Sequence, residues 1–194
     1  MSIEIKELEN NFGKNIIFQE NLSKYNWFNL GGPAKILFKP VNLDQLKNFL
    51  QQLNGSQKII CLGAGSNTLV RDGGFSGVII KLSPKFSYIN KLNTNILEVG
   101  AATLDKTFSR YCLENGIKGF EFLSCIPGSI GGAIRMNSGC YGDEISKNLL
   151  SVKIIDYRAN IKEIKKDDIK FFYRGSSLPE NLIIVSANFK AQEG

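Results

Sequence analysis

The chain has 194 residues, 43% of them hydrophobic and 22% charged, which is enough to bury a sizeable core and too apolar for a disordered chain. It contains no histidine, so Ser-His-Asp and Cys-His catalysis and histidine-ligated metal sites are excluded within these residues. The net charge of +6 is spread thinly: "IKEIKKDDIK" (161–170) mixes both signs, which points to a solvated surface or a preference for small anions rather than a dedicated nucleic-acid face.

The cysteines, Cys61, Cys112, Cys125 and Cys140, form no C-x-x-C pair, so no metal is expected and the thiols read as reduced, small apolar groups. "MSIEIKELENNF" is charged and lacks a signal-peptide core. The longest uncharged apolar run, "FLSCIPGSIGGAI", is broken by Pro127 and is too short to span a bilayer. A cytoplasmic protein, with neither membrane nor nucleic acid as partner, is the expectation.

At the N-terminus, "IEIKELENNF" places Ile5, Leu8 and Phe12 at helical spacing. "AKILFKP" predicts a strand ended by Pro40. In "NLDQLKNFLQQL", Asn42 is a helix cap and Leu43, Leu46, Phe49 and Leu50 share one stripe. "QKIICLG" reads as a buried strand and "SGVIIKLS" as another, which makes a β-α-β unit over residues 30–82. Past Pro84, "FSYINKL" and "NILEVGAA" predict two strands around the turn "NTN". "TLDKTFSRYCLENG" predicts a helix capped by Thr103, with Leu104, Phe108, Tyr111 and Cys112 inward and Gly116 at its end. "LLSVKIIDYRANIKEIKKDDI" predicts a hairpin turning at "RAN", and "LIIVSANFKA" a last strand. The fold class is therefore α+β, antiparallel-rich in its second part, with a boundary at 82–85 that separates residues 1–83 from 84–194.

Two glycine-rich stretches stand apart from this pattern. "CLGAGSNTLVRDGG" (61–74) follows a strand, and Gly63 and Gly65 make a G-x-G. A Rossmann loop needs a third glycine and an immediate helix; here Thr68 occupies that place and "LVRDGGFSG" is not helical. Successive backbone N–H groups in such a turn still form a nest for phosphate, with Ser66 and Asn67 adding side-chain donors. An ordinary tight turn between strands accounts for the same residues equally well. In "IPGSIGGAIRMNSGCYG" (126–142), Pro127 disfavours helix at Ile126 and Ser129 is placed to cap a short helix through "SIGGAIRMN". Gly131 and Gly132 inside that helix cost about 1 kcal/mol each relative to alanine. A helix tolerates that when a flat or charged ligand, or a neighbouring helix, approaches its backbone.

"LGAGSNTLVRDGGFSGVII" (62–80) and "IPGSIGGAIRMNSGCYG", with "WFNLGGPA" (27–34) and "FFYRGSSLP" (171–179), occur in order over nearly the whole chain. Together they resemble the motifs of the UDP-N-acetylenolpyruvoylglucosamine reductase family. The resemblance implies the fold of flavoproteins similar to vanillyl-alcohol oxidase, in which two α+β subdomains hold FAD between them, here non-covalently. It implies that FAD meets Gly63, Ala64, Gly65, Ser66, Asn67 and Thr68 in one loop and Ile126, Pro127, Gly128, Ser129, Gly131 and Gly132 in the other. Asn137 and Gly139 are then expected, with Ile126, beside the isoalloxazine ring.

The chemistry implied is NADPH-dependent reduction of the enolpyruvyl group of a nucleotide sugar to UDP-N-acetylmuramate, in peptidoglycan precursor synthesis, by a monomeric enzyme. Arg174 matches the family's active-site arginine. A guanidinium bonds both oxygens of a carboxylate, toward which charge moves as hydride is added. Tyr173 is implied to support Arg174 or the substrate. The family pattern continues beyond Gly194 with a substrate-binding domain that carries a proton-donating serine and a glutamate. The expectation is therefore the flavin-binding portion of such a reductase, impaired in reducing its substrate; the alternative is a non-catalytic FAD-binding module. Gly65 and Gly131 are expected to be glycine for the cofactor's sake, so that valine there costs FAD affinity more than folding.

Overall fold

The computed structural model describes residues 5–194. The start of the N-terminal helical stripe, including the side chain of Ile5, lies outside the described residues. Helix α1 (Ile5–Phe12) buries Leu8 and Phe12. The strands β1 (Ile16–Asn21), β2 (Pro33–Phe38), β3 (Ile59–Cys61) and β4 (Phe75–Ile80) form a first sheet in the spatial order β1-β2-β4-β3. β1 pairs antiparallel with β2, and β4 pairs in parallel with both β2 and β3.

Helix α2 (Leu43–Leu53) crosses from β2 to β3. The Asn42 side chain accepts from the Gln45 N–H at 2.8 Å, and Leu46, Phe49, Leu50 and Leu53 are buried, with Leu43 half-buried. Phe12 meets Phe38 and Phe49 edge-on, each at 5.2 Å between ring centroids, while Phe38 and Phe49 stack at 3.8 Å. This aromatic group holds both helices against the sheet.

Two features of this sheet differ from the sequence reading. β3 is an edge strand, with Ile60 44% exposed, not a buried one. Its apolar run suits an interior strand, but β4 takes the interior place between β2 and β3. β1 has no counterpart in the sequence reading, because "IIFQEN" does not alternate apolar and polar residues; Gln19, at a φ of +52°, drops out of the pairing with β2.

Downstream, β5 (Ile89–Asn93) and β6 (Ile96–Gly100) form the expected hairpin. In α3 (Asp105–Glu114), Phe108 and Cys112 are buried and Tyr111 is half-buried, but Leu104, an exposed residue, occupies the cap position rather than Thr103. The Thr103 hydroxyl is engaged elsewhere: it accepts from the Tyr88 N–H at 3.1 Å and donates to the Tyr88 carbonyl at 3.2 Å. The remaining elements are β7 (Ile117–Lys118), α4 (Ile130–Arg135), β8 (Gly139–Cys140), β9 (Asp143–Glu144), β10 (Leu149–Asp156), β11 (Ile161–Lys165), β12 (Phe171–Phe172), β13 (Gly175–Ser176), β14 (Leu182–Lys190) and β15 (Gln192–Glu193).

The second sheet, in the order β11-β10-β14-β6-β5, is antiparallel throughout. Its β10–β11 hairpin turns through Ala159 at φ +68°. β14 is not the last strand, since β15 returns to pair with β7. Phe108, Phe120 and Phe189 pack against one another in the core of this half. A second core joins α1, α2 and β4 with Ile155, Ala159, Ile183 and Val185 of the other half. The two sheets thus share buried surface, and the chain leaving β3, β4 and β6 meets the start of β14 around a common cleft.

Candidate functional site

One wall of this cleft is the loop after β3. Leu62 still bonds to the sheet, its N–H donating to the Ile80 carbonyl at 2.8 Å. Beyond it the backbone N–H groups of Gly63, Ala64, Gly65, Ser66 and Asn67 have no hydrogen-bond partner among the described residues. The carbonyl side of the same loop is fastened. Lys81 Nζ donates to the Gly63 carbonyl at 2.6 Å, and the Trp27 N–H to the Gly65 carbonyl at 3.0 Å. Held from behind, the loop keeps a run of uncommitted donors, which is the geometry of an anion nest.

The second loop is tied to the first by the Ser66 hydroxyl, which donates to the Pro127 carbonyl. Ile126 packs against the core that contains Phe108, Phe120 and Phe189, and the Gly128 carbonyl accepts from the Asp105 N–H at 3.2 Å. Ser129 has the extended backbone of a cap residue, but its hydroxyl makes no cap bond. The first donors of α4 are already taken: Ile130 N–H by the Thr103 carbonyl and Gly131 N–H by the Ala101 carbonyl, both at 2.9 Å. A Cβ on Gly131 would sit 3.1 Å from the Ala101 Cβ, whereas one on Gly132 would meet only the Ser129 hydroxyl, at 3.7 Å.

Between these loops lies a cleft of about 420 Å³, walled by Leu62, Ala101, Leu104 and Leu182–Ile184 among other apolar groups. Its charged lining residues are Lys81 and Arg135. Desolvation lowers the pKa of both. The Cys61 thiol, on the same wall, is pushed up to about 11 by burial. Arg135 is anchored by bonds from its guanidinium to the carbonyls of Leu178 at 2.8 Å, Pro179 at 2.7 Å and Leu182 at 3.1 Å.

A smaller recess of about 260 Å³ is lined by Asn137, Gly139, Glu144, Tyr173 and Arg174. Asn137, at φ +44°, donates to Glu144 Oε2 at 2.9 Å and to the Phe172 carbonyl at 3.3 Å. Its buried Oδ1 has no partner. Tyr173 and Arg174 form the tip of the β12–β13 hairpin; Tyr173 is 88% exposed, and the Arg174 guanidinium lies 5.5 Å from its ring centroid. Arg174 takes φ +59°, a left-handed conformation that costs a non-glycine residue about 1 kcal/mol.

The structure therefore separates the residues singled out in the sequence. Gly63, Ala64, Ser129, Gly131 and Gly132 line the large cleft, and Asn137, Gly139, Tyr173 and Arg174 line the recess. Gly65 is buried, and Ser66 and Pro127 bridge the loops. Asn67 is exposed, Thr68 is half-buried, and neither lines either cavity. Sequence reasoning missed Lys81, Arg135 and Glu144. A cation directly after the apolar strand "GVII" was the available signal for Lys81; Glu144 meets Asn137 only because the β8–β9 turn folds it back.

Residues 34–165 match a family described as "FAD binding domain", and the chain belongs to that family of FAD-binding proteins. Among curated relatives, it is 46% identical over 191 residues to the UDP-N-acetylenolpyruvoylglucosamine reductase of Pelagibacter ubique, covering 98% of this chain and 63% of that protein. It is 44% identical over 174 residues to the protein of the same name from Rickettsia bellii, covering 90% and 58%. The chain thus spans less than two thirds of the length of these relatives. The solved UDP-N-acetylenolpyruvylglucosamine reductase of Thermus caldophilus matches with a TM-score of 0.78 at 28% identity, over 92% of this chain and 62% of that one. p-Cresol methylhydroxylase, with a TM-score of 0.70 at 15% identity over 97% of this chain and 42% of its own, shares the fold. The α+β FAD-binding fold implied by the sequence motifs is the fold observed.

Proposed function

We propose that these residues form the flavin-binding part of a UDP-N-acetylenolpyruvoylglucosamine reductase, in which subdomains 1–83 and 84–194 hold FAD non-covalently in the cleft between their sheets. The observation that carries this reading is the row of uncommitted N–H groups from Gly63 to Asn67, whose first members, Gly63 and Ala64, lie on the wall of a mostly apolar cleft. A dinucleotide needs this combination, donors for its diphosphate and apolar walls for its rings. The open face of Gly132 admits a ligand to the backbone of α4, and the orphaned Oδ1 of Asn137 fits an N–H on a ring edge. Ile126, Pro127 and Gly128 support the cofactor from behind, Thr68 closes the first loop, and Gly139 shapes the ring-edge recess.

FAD, when bound, supplies the hydride carrier between NADPH and the enolpyruvyl double bond. Arg174 then holds the substrate carboxylate as negative charge develops on it, and Tyr173 stacks on the guanidinium and limits its motion. The same reading makes the protein a monomeric enzyme of peptidoglycan precursor synthesis acting in the cytoplasm; among the described residues, no helix is long and apolar enough to cross a membrane.

The test is direct. Purified protein should carry a yellow chromophore that denaturation releases into solution as FAD, and NADPH should bleach it without oxygen. Failure to bind FAD at micromolar concentration sinks the proposal. Tight FAD binding with no reduction by NADPH favours the non-catalytic module.

A further inference from the structure

Asn137 is buried just past the end of α4, and the groups around its carboxamide leave that amide one orientation. Its Nδ2 donates to Glu144 Oε2 at 2.9 Å and to the Phe172 carbonyl at 3.3 Å. A carboxylate and a carbonyl only accept, so the amino group has to face both of them and Oδ1 has to turn away. Rotated the other way, the amide would set its oxygen against two acceptors and strand two buried donors. Glu144 is the stronger of the two partners, because its bond is the shorter one and is made to a charged group.

Glu144 is itself held in place. The Ser146 hydroxyl donates to Oε1 at 2.9 Å, and the Ile145 N–H donates to the Ser138 carbonyl at 3.0 Å. Glu144 pairs with Gly139 across the β8–β9 hairpin, where a Cβ on Gly139 would sit 2.8 Å from the Glu144 Cβ. A bare glycine there lets the carboxylate close on Asn137. No lysine or arginine pairs with Glu144 among the described residues, so its acceptor capacity is spent on Asn137 and Ser146. What remains is the Asn137 Oδ1, an acceptor with no partner in a residue that lines the recess.

We infer that Glu144 is a positioning residue of the recess: it fixes the orientation of the Asn137 carboxamide, so that Asn137 offers a bound ligand an acceptor and not a donor. The group this selects is an N–H on the edge of a planar heterocycle. That the heterocycle is a flavin rests on the reading above; the orientation of the amide does not.

The experiment uses flavin-free protein and has two arms. Without ligand, nitrogen-15 NMR follows solvent exchange of the Asn137 amino protons. Exchange should be slow in the wild type and in Glu144→Gln, which keeps an acceptor, and about 10-fold faster or more in Glu144→Leu. With ligand, Glu144→Leu should weaken riboflavin and FAD by the same factor, about 10-fold, and leave ADP, which has no flavin ring, unchanged. Asn137→Ala should do the same, and the double variant should lose no more than either single one, because all three remove one contact. Glu144→Gln should recover most of the riboflavin affinity.

Equal exchange in the wild type and Glu144→Leu overturns the inference and keeps the flavin reading. Equal losses of ADP and riboflavin in Glu144→Leu also overturn it, reducing Glu144 to a structural residue. Additive losses in the double variant, or a Glu144→Gln as weak as Glu144→Leu, overturn it as well, since Glu144 then acts by another route or through its charge. A wild type whose Asn137 is held by Glu144 but which binds neither riboflavin nor FAD overturns the flavin reading and keeps the orientation.

Discussion

In the loop Gly63–Thr68, the N–H groups of Gly63 through Asn67 have no partners, whereas in Ser129–Gly132 those of Ile130 and Gly131 are bonded to Thr103 and Ala101. The glycines differ as well. A side chain on Gly65 would collide with the Tyr25 carbonyl and come within 2.8 Å of Asn26 Cα, and one on Gly131 would press on Ala101, while Gly132 opens to the cleft. The first loop thus leaves its donors uncommitted and uses Gly65 to pack on its own chain. The second spends its donors on the end of β6 and offers one bare glycine face. Glycine marks close approach in both loops, but mostly the approach of protein.

The sharpest way to break this contrast is Gly65→Val. With φ at +76° and backbone behind it, this change should cost more than about 3 kcal/mol of stability, measured by urea unfolding without flavin. That reverses the expectation drawn from sequence, in which flavin affinity suffers first. An unchanged midpoint with lost flavin would restore it.

Next comes Asp105, whose carboxylate is fully buried under the second loop with both oxygens unpartnered. Burial raises its pKa from 3.8 to about 7. The folded state therefore keeps a proton that the unfolded chain releases, so stability falls as pH rises from about 4 to about 7 and levels off above. Asp105→Asn should flatten that slope and stabilise the protein by about 2 kcal/mol at pH 8, read from melts across pH. A slope that survives the substitution assigns it to another group.

A smaller effect separates the neighbouring helix glycines. Gly132→Ala should raise stability by up to about 1 kcal/mol through helix propensity and still weaken FAD binding, because its methyl enters the cleft. Gly131→Ala should gain nothing in stability, because its methyl presses on Ala101. Matched behaviour of the two variants would erase the distinction between a packing face and a ligand face.

The smallest change is expected at Arg174→Gly, which relieves a left-handed φ on an exposed tip. Stability should rise by less than about 1 kcal/mol with FAD affinity intact. A loss of flavin affinity would move Arg174 from the substrate recess to the cofactor cleft.

Local signals in the sequence were reliable guides. The Asn42 cap, the β5–β6 hairpin and the turn at "RAN" each depend on residues a few positions apart, so their chemistry is written contiguously. Thr103 misled because its hydroxyl found a partner at Tyr88, just before β5, which only folding brings near. The edge position of β3 was hidden for the same reason, since it depends on where β4 inserts.

By itself, the sequence determined the α+β class, the places of both glycine-rich loops and the family of FAD-binding proteins, because hydrophobic periodicity, turn residues and long motifs are properties of neighbours along the chain. Tertiary structure alone decided which N–H groups stay uncommitted, which glycines face protein, and that Lys81 and Arg135, far apart in sequence, stand on the wall of one cleft. Those outcomes depend on what each backbone group meets across the fold, and hydrogen-bond partners and desolvation are set in space rather than along the chain.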